Sequence, residues 1–519
     1  MLINESRGQS RQQMHNPAQY ASDDQDHDYD KSYDPNRHRG GRSYTKPAMV
    51  PSPWFLQDPP VFLTSSEELP QNIVCNKCNC DSENSLIDCT NKLNEWFSEN
   101  EWAIIQNDKL IFETIKMEHN NYTTIPKFPT YGVKNLYLGY NQISSITIGA
   151  FQNLTELSRL DLSNNKLTSK NLLPDVFKGP FSEQDFEPLK NLRSLNLGYN
   201  LLHFLNDDLF EHLPNLEELI LCSNTFQVID KLTETALSGL SALKVLDMSY
   251  MELKTLPETI FHGPRGLETL IASGNLFNQV PKALSYAKNL KRLVLDENPI
   301  TNLEGENVFP AMTYLKYLSI SYMPELYKIG QGALNNLQNL TELILSDNKM
   351  LTEIDEYALA KNVTGANFLD YPPLEKLYLN NCNLTALPRT LIVRWDKLYV
   401  IDLRFNPWNC DASNEFMINY LIQRINNSTP LLATNVKCEL PQQLKGVEVL
   451  NVANDKLLGS SRNGSLVWIV IIVCVLLAVP ITISGVIFYR RGYCRCVQKD
   501  ETAKRALYSR ANFSEDFHI

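Results

Sequence analysis

The chain has 519 residues, of which 43% are hydrophobic, 21% charged and 10% aromatic, with 27 prolines, so it is neither collagen-like nor globally disordered. Its formal net charge of -11 gives no electrostatic footprint for nucleic acid, and DNA and RNA are not expected partners. The 8 histidines are scattered and no nucleotide loop, G-x-S-x-G elbow or H-E-x-x-H sequence occurs, so no enzyme, metal or other cofactor is expected.

From the N-terminus, residues 1–70 are polar and charged, with acids from Asp23 to Asp34 followed by Arg37, Arg39 and Arg42, and the segment is expected to be disordered. Tyr29 and Tyr33 among the acids invite sulfation, although a solvated linker explains them as well. This stretch has no apolar h-region behind a basic start, so no signal peptide is visible and an incomplete or alternative start is expected. Next comes Cys75-Asn-Lys-Cys78-Asn-Cys80 with Cys89 following. The C-x2-C spacing also fits zinc, but an extracytosolic chain favours disulfides.

Residues 112–405 repeat the pattern L-x-x-L-x-L-x-x-N-x-L, as in Leu157-Ser-Arg-Leu160-Asp-Leu162-Ser-Asn-Asn165-Lys-Leu167. About twelve copies start between Phe112 and Leu398. The x-L-x-L-x core alternates with period two, so each copy predicts a short strand with leucines on one side and variable residues on the other. Stacked copies make a one-dimensional solenoid with a parallel concave sheet and two ends to be closed. The recurrent Asn is predicted to satisfy backbone groups where the chain leaves the strand. Met251 and Met323 stand in that place in two copies, so local irregularity is expected there. Long spacings predict insertions at about Ser169–Pro188 and Ala360–Pro373, on the convex side or an edge. Cys382 replaces the turn Asn and reads as a buried thiol. Cys222 points toward the variable face and lies too many repeats from Cys382 to bridge it.

These repeats with flanking cysteines resemble the extracellular leucine-rich repeat family of the Toll-ectodomain, Slit, chaoptin and connectin kind, over about Cys75 to Val452. The resemblance implies an α/β leucine-rich repeat solenoid, a horseshoe with cysteine caps at 71–111 and 406–455. It also implies pairing of Cys75 with Cys80 and of Cys78 with Cys89. Asn406-Pro407-Trp408-Asn409-Cys410-Asp411, then Cys438 and Pro441, match the family's C-terminal cap, but Ala412 stands where a second cysteine is usual. One bridge, Cys410 to Cys438, is therefore implied there instead of two.

After a linker at 456–465, Leu466 to Tyr489 carries no charge and exceeds the ~20 residues that cross a bilayer as a helix, with Trp468 and Tyr489 near its ends. Arg490, Arg491 and Arg495 follow it, which predicts a plasma-membrane protein with its N-terminus outside and the tail 490–519 cytosolic. That tail is too short for a Toll-type signalling domain. Cys494 and Cys496 are candidate palmitoylation sites, and Asp516-Phe517-His518-Ile519 has the form that a PDZ groove takes as an added strand.

The concave face is legible in the repeats. Between the second and third leucines stand Tyr137, Asp161, Asn196, Ile220, Asp247, Ile271, Val294, Ser319, Ile344, Tyr378 and Asp402; the position before the Asn adds Tyr140, Tyr199, Tyr250, Tyr322 and Phe405, and Tyr317 lies alongside. Rows of exposed tyrosine and aliphatic residues mark protein-binding surfaces, although high β-propensity alone also explains such residues. The glycosylation acceptors Asn121, Asn153, Asn339, Asn362, Asn383, Asn426, Asn427 and Asn463 avoid those positions. The expected function is cell-surface recognition, in adhesion or as a co-receptor, of an extracellular or cell-surface protein; the other class is a structural or matrix-organising membrane glycoprotein.

Overall fold

The structure, a computed structural model, describes residues 73–107, 112–183, 185–362, 368–394, 396–454, 471–480, 482–483 and 486–487. Segment 1–70, Asn463, Cys494, Cys496 and residues 516–519 lie outside the described residues.

The period-two pattern becomes one three-residue strand per repeat, from Thr114–Lys116 to Val400–Asp402, paired in parallel in unbroken chain order. The register is the same at every step, so Leu136, Leu160, Leu195, Leu219, Leu246, Leu270 and Leu293 lie side by side. All of them are buried, as are the third leucines such as Leu138, Leu162 and Leu197. A short strand cannot cover its apolar side alone, and here each repeat covers its neighbours'. Away from the sheet, stacked Phe128, Phe151 and Phe177 fill the space between turns, with ring centroids 6.0 and 6.2 Å apart.

The turn asparagines form a buried amide ladder. Asn165 donates to Leu138 O at 3.0 Å in the previous repeat and to Leu162 O at 3.1 Å in its own, while its Oδ1 accepts from Ile143 N at 2.9 Å. Asn141, Asn200, Asn224, Asn275, Asn298, Asn348 and Asn406 repeat the arrangement. The irregularity expected at Met251 and Met323 is not found. Both methionines are buried in the core, and their N–H groups donate to Asn275 and Asn348 of the next repeats, so strand register continues through them. Cys382, also in the Asn column, donates from its thiol to Leu345 O at 3.1 Å, and burial pushes that thiol up to about 12.

At the N-terminal end an antiparallel hairpin, Asn79–Asp81 with Leu86–Asp88, adds two strands to the sheet. Its bonded cystines are Cys75–Cys80 and Cys78–Cys89. Helix Glu99–Asn107 starts on a reciprocal cap in which Ser98 N–H donates to Glu101 at 2.8 Å and Glu101 N–H donates to Ser98 Oγ. At the other end Cys410 is bonded to Cys438, and the Trp408 indole donates to Leu403 O at 2.9 Å, ending the amide ladder. Buried Asn414 ties this cap down where the second cystine is missing: it donates to Thr385 O and Asn409 O and accepts from Leu387 N.

The two insertions leave the pairing intact. Strand Arg159–Asp161 pairs directly with Ser194–Asn196, and Glu342–Ile344 with Lys376–Tyr378. The first insertion carries the 3-10 turn Pro174–Val176 and the second a small hairpin, Lys361–Asn362 with Leu369–Asp370. Of the apolar stretch 466–489, residues 471–480, 482–483 and 486–487 are helical, with exposed Ile471, Leu476, Leu477 and Val486. No helix among the described residues is long and apolar enough to cross a membrane.

Candidate binding face

The position before the Asn column is the unusual one in this backbone. His119, Tyr140, Asn164, Tyr199, Ser223, Tyr250, Gly274, Glu297, Tyr322, Asp347, Asn381 and Phe405 all have φ between +53° and +62°. Left-handed backbone suits Gly, Asn or Asp, and a bulky side chain there costs about 1–2 kcal/mol. Tyrosine or phenylalanine nevertheless takes the position five times, and Tyr140, Tyr250, Tyr322 and Phe405 are 50, 37, 57 and 57% exposed. Half-buried Tyr199 completes the row along one edge of the sheet.

Neighbouring rungs hold these rings. His119 stacks on Tyr140 with centroids 4.4 Å apart. Tyr250 lies against Gly274, where a Cβ would come within 2.2 Å of the ring, and its hydroxyl donates to Glu297 at 2.7 Å. Burial first, and Glu297 after it, push the Tyr250 hydroxyl well above its ordinary value. Tyr322 is raised in the same direction by burial and then by Asp347.

The strand residues divide differently from the sequence expectation. Tyr137, Ile271, Tyr317 and Tyr378 are half-buried on the concave face. Ile220, however, is only 7% exposed, and Val294, Asp161, Ser319 and Asp402 are also buried. Ile220 is thereby corrected from a contact residue to a packing residue: its strand lies between Asn196 and Asp247 in register, and crowding within the three-strand layer removes it from solvent. Cys222 is likewise buried, against Gly198, and burial pushes its thiol far above the reactive range. Sequence reasoning missed His119, Asn164, Ser223, Glu297 and Asp347. Reading the column before each Asn through all repeats, instead of selecting its aromatics, finds them.

The acceptors Asn121, Asn362, Asn383 and Asn427 are exposed and Asn426 half-buried. Asn153 and Asn339 instead donate through Nδ2 to Phe128 O and Thr313 O in a second amide series off the sheet.

A row of carboxyls underlies the aromatic edge. Burial raises Asp161, Asp247 and Asp296 above the ordinary carboxylate range even though Ser163 N, Ser249 N and Ser321 N donate to them. Burial, with Asp161 adding to it, raises Glu118 from 4.5 to about 6. The folded chain thus holds a proton on Glu118 that the unfolded chain has released, so stability is lost as pH rises from about 4.5 through 6. Glu118→Gln is expected to raise stability at pH 7.4 and leave it nearly unchanged at pH 4, as measured by urea unfolding at both; an equal effect at the two values would remove the assigned shift.

The family described as leucine rich repeat matches residues 131–180, 182–226 and 215–277. Lumican of Rattus norvegicus is 34% identical over 228 residues, 44% of this chain and 61% of the relative, so the chain spans less than two thirds of that protein. Lumican of Coturnix japonica is 30% identical over 280 residues, 50% of this chain and 76% of the relative. Among solved structures, that of the Drosophila Toll–Spatzle complex aligns with a TM-score of 0.32 at 16% identity, covering 65% of this chain and 63% of that one.

Proposed function

This chain belongs to the leucine-rich repeat family that includes lumican, and from that premise we propose that it is a cell-surface recognition protein binding a protein partner through its concave repeat face. The observation that carries the reading is the strained aromatic row Tyr140, Tyr199, Tyr250, Tyr322 and Phe405, exposed at all but half-buried Tyr199. Left-handed backbone by itself favours smaller residues, as Gly274 and Asn164 illustrate, and beyond the contacts that His119, Gly274 and Glu297 give them the rings keep exposed surface that a partner would cover. Tyrosine buries much area at little entropic cost and has a polar tip, which suits a protein interface. Tyr137, Ile271, Tyr317 and Tyr378 extend the same surface across the sheet.

Leu466 to Tyr489 supplies the anchor in this reading, with the repeats and their N-glycans outside, Cys494 and Cys496 lipidated, and the C-terminus offered to a PDZ groove inside. The test places a photo-crosslinking phenylalanine at Tyr322 or, in the 3-10 turn Lys282–Tyr286 outside the sheet, at exposed Tyr286, in the full chain on cells. Protein adducts from position 322 and none from 286 are expected. Tyr322→Asn is expected to abolish ligand capture while keeping or raising stability by up to about 1 kcal/mol, because Asn tolerates the left-handed backbone. Equal adducts at both positions, or none, would favour a matrix-organising glycoprotein whose concave chemistry is incidental.

A further inference from the structure

The left-handed column alternates. Tyr140, Tyr199 and Tyr250 occupy every second rung, and the small residues Asn164, Ser223 and Gly274 occupy the rungs between and after them. Each column N–H still donates to the next repeat, Tyr140 to Ser163 O at 3.0 Å, Tyr199 to Cys222 O at 2.8 Å and Tyr250 to Ser273 O at 2.8 Å. The rungs therefore keep the sheet spacing of ~4.8 Å, and successive tyrosines stand about 9.6 Å apart. Between Tyr140 and Tyr199 lies an open cleft of about 480 Å³, lined also by His119, Gln142, Asn164 and Ser223.

A polyproline II chain repeats every three residues at ~3.1 Å each, or about 9.3 Å per turn, and keeps step with the backbone rungs that carry the tyrosines. A β-strand repeats on one face every ~6.6 Å and does not. Beyond the tyrosines the next alternate rungs carry Glu297 and Asp347, which are bonded to Tyr250 and Asn381, with no ion-pair partner among the described residues. No Lys or Arg stands anywhere in the column. Along the opposite edge of the sheet the charges neutralise one another, as in Lys134–Glu113, Lys244–Glu217 and Lys291–Glu268. The column itself thus carries only negative charge, at Glu297 and Asp347, while exposed Lys166 and Lys349 follow the Asn of their own repeats.

We propose that this edge holds a single polypeptide segment in polyproline II conformation, its prolines seated between Tyr140, Tyr199 and Tyr250, with a Lys or Arg side chain carried to Glu297 and Asp347. The inference rests on the concave face being a protein-binding surface. Proline adds rigidity that lowers the ordering cost, and aromatic-lined troughs suit its ring.

The test is fluorescence anisotropy with the purified full chain and labelled peptides of nine prolines bearing three arginines at one end or the other. One polarity is expected to bind at least about tenfold more tightly than nine prolines with three glutamates, and than a glycine-serine chain of the same length with three arginines. Tyr199→Asn is expected to weaken binding at least about tenfold, and Glu297→Gln to weaken it and flatten its dependence on salt. No binding in either polarity, equal binding of the glycine-serine peptide, or an unaffected Tyr199→Asn would overturn the proposal. Adducts at position 322 on cells without any proline-arginine binding would overturn this inference alone and leave the recognition face in place.

Discussion

Asn298→Ala is expected to lower the stability of the repeats by about 3 kcal/mol. The residue is 0% exposed, and its amide holds two successive repeats together. Oδ1 accepts from Phe277 N at 3.1 Å, and Nδ2 donates to Ala272 O at 3.0 Å and Leu295 O at 2.8 Å. Ala272 O keeps a second donor in Asn275, so truncation orphans mainly the Phe277 N–H and the Leu295 carbonyl. Each buried polar group left unmatched costs about 1–3 kcal/mol, and two give the stated size. Asn339→Ala serves as the control, because that side chain is exposed and makes one bond to Thr313 O; its cost is expected below about 1 kcal/mol. Urea unfolding measures both, and amide exchange at Phe277 locates the opening. Equal losses for the two substitutions would show that the buried ladder has no special weight.

Replacing Cys410 and Cys438 together by Ala is expected to cost about 3.5 kcal/mol, the chain-entropy value for a bridge spanning 28 residues. The shorter Cys75–Cys80 bridge, with a separation of 5, should cost only about 2 kcal/mol by the same relation. A solenoid's last repeat has no neighbour, so its apolar side depends on the cap. Here Trp408, Met417, Ile418, Leu421 and Ile422 are buried over that end, and one cystine plus Asn414 secures them. Trp408 fluorescence should therefore shift to the red at a lower urea concentration in the double variant, ahead of the loss of sheet signal. Coincident, unshifted transitions would show that the cap is held by its packing alone.

The repeat array was legible because its physics is local. A leucine at each of three fixed places buries only against the same places one repeat away, so spacing in the chain becomes spacing in the fold. The cystine pairs Cys75–Cys80, Cys78–Cys89 and Cys410–Cys438 followed from the family resemblance and are bonded in the structure. The irregularity expected at Met251 and Met323, which cannot hydrogen-bond as Asn does, is absent for a reason that lies in the neighbouring repeat. In the folded chain Asn275 and Asn348 reach back and supply the acceptor from the next one.

What tertiary structure alone decided is which variable residues meet solvent and at what backbone cost. Ile220 and Tyr140 are both variable positions in the pattern, yet one is packed between neighbouring strands while the other stands half exposed at φ +55°. Burial depends on flanking repeats, for Ile220 at Asn196 and Asp247, 24 and 27 residues away, and a left-handed dihedral leaves no mark on an aromatic side chain's identity. The sequence determined a leucine-rich solenoid and its concave side; the three-dimensional stack determined that its aromatics form a strained edge beside a row of carboxyls, because stacking brings rungs from distant segments within one strand spacing of each other.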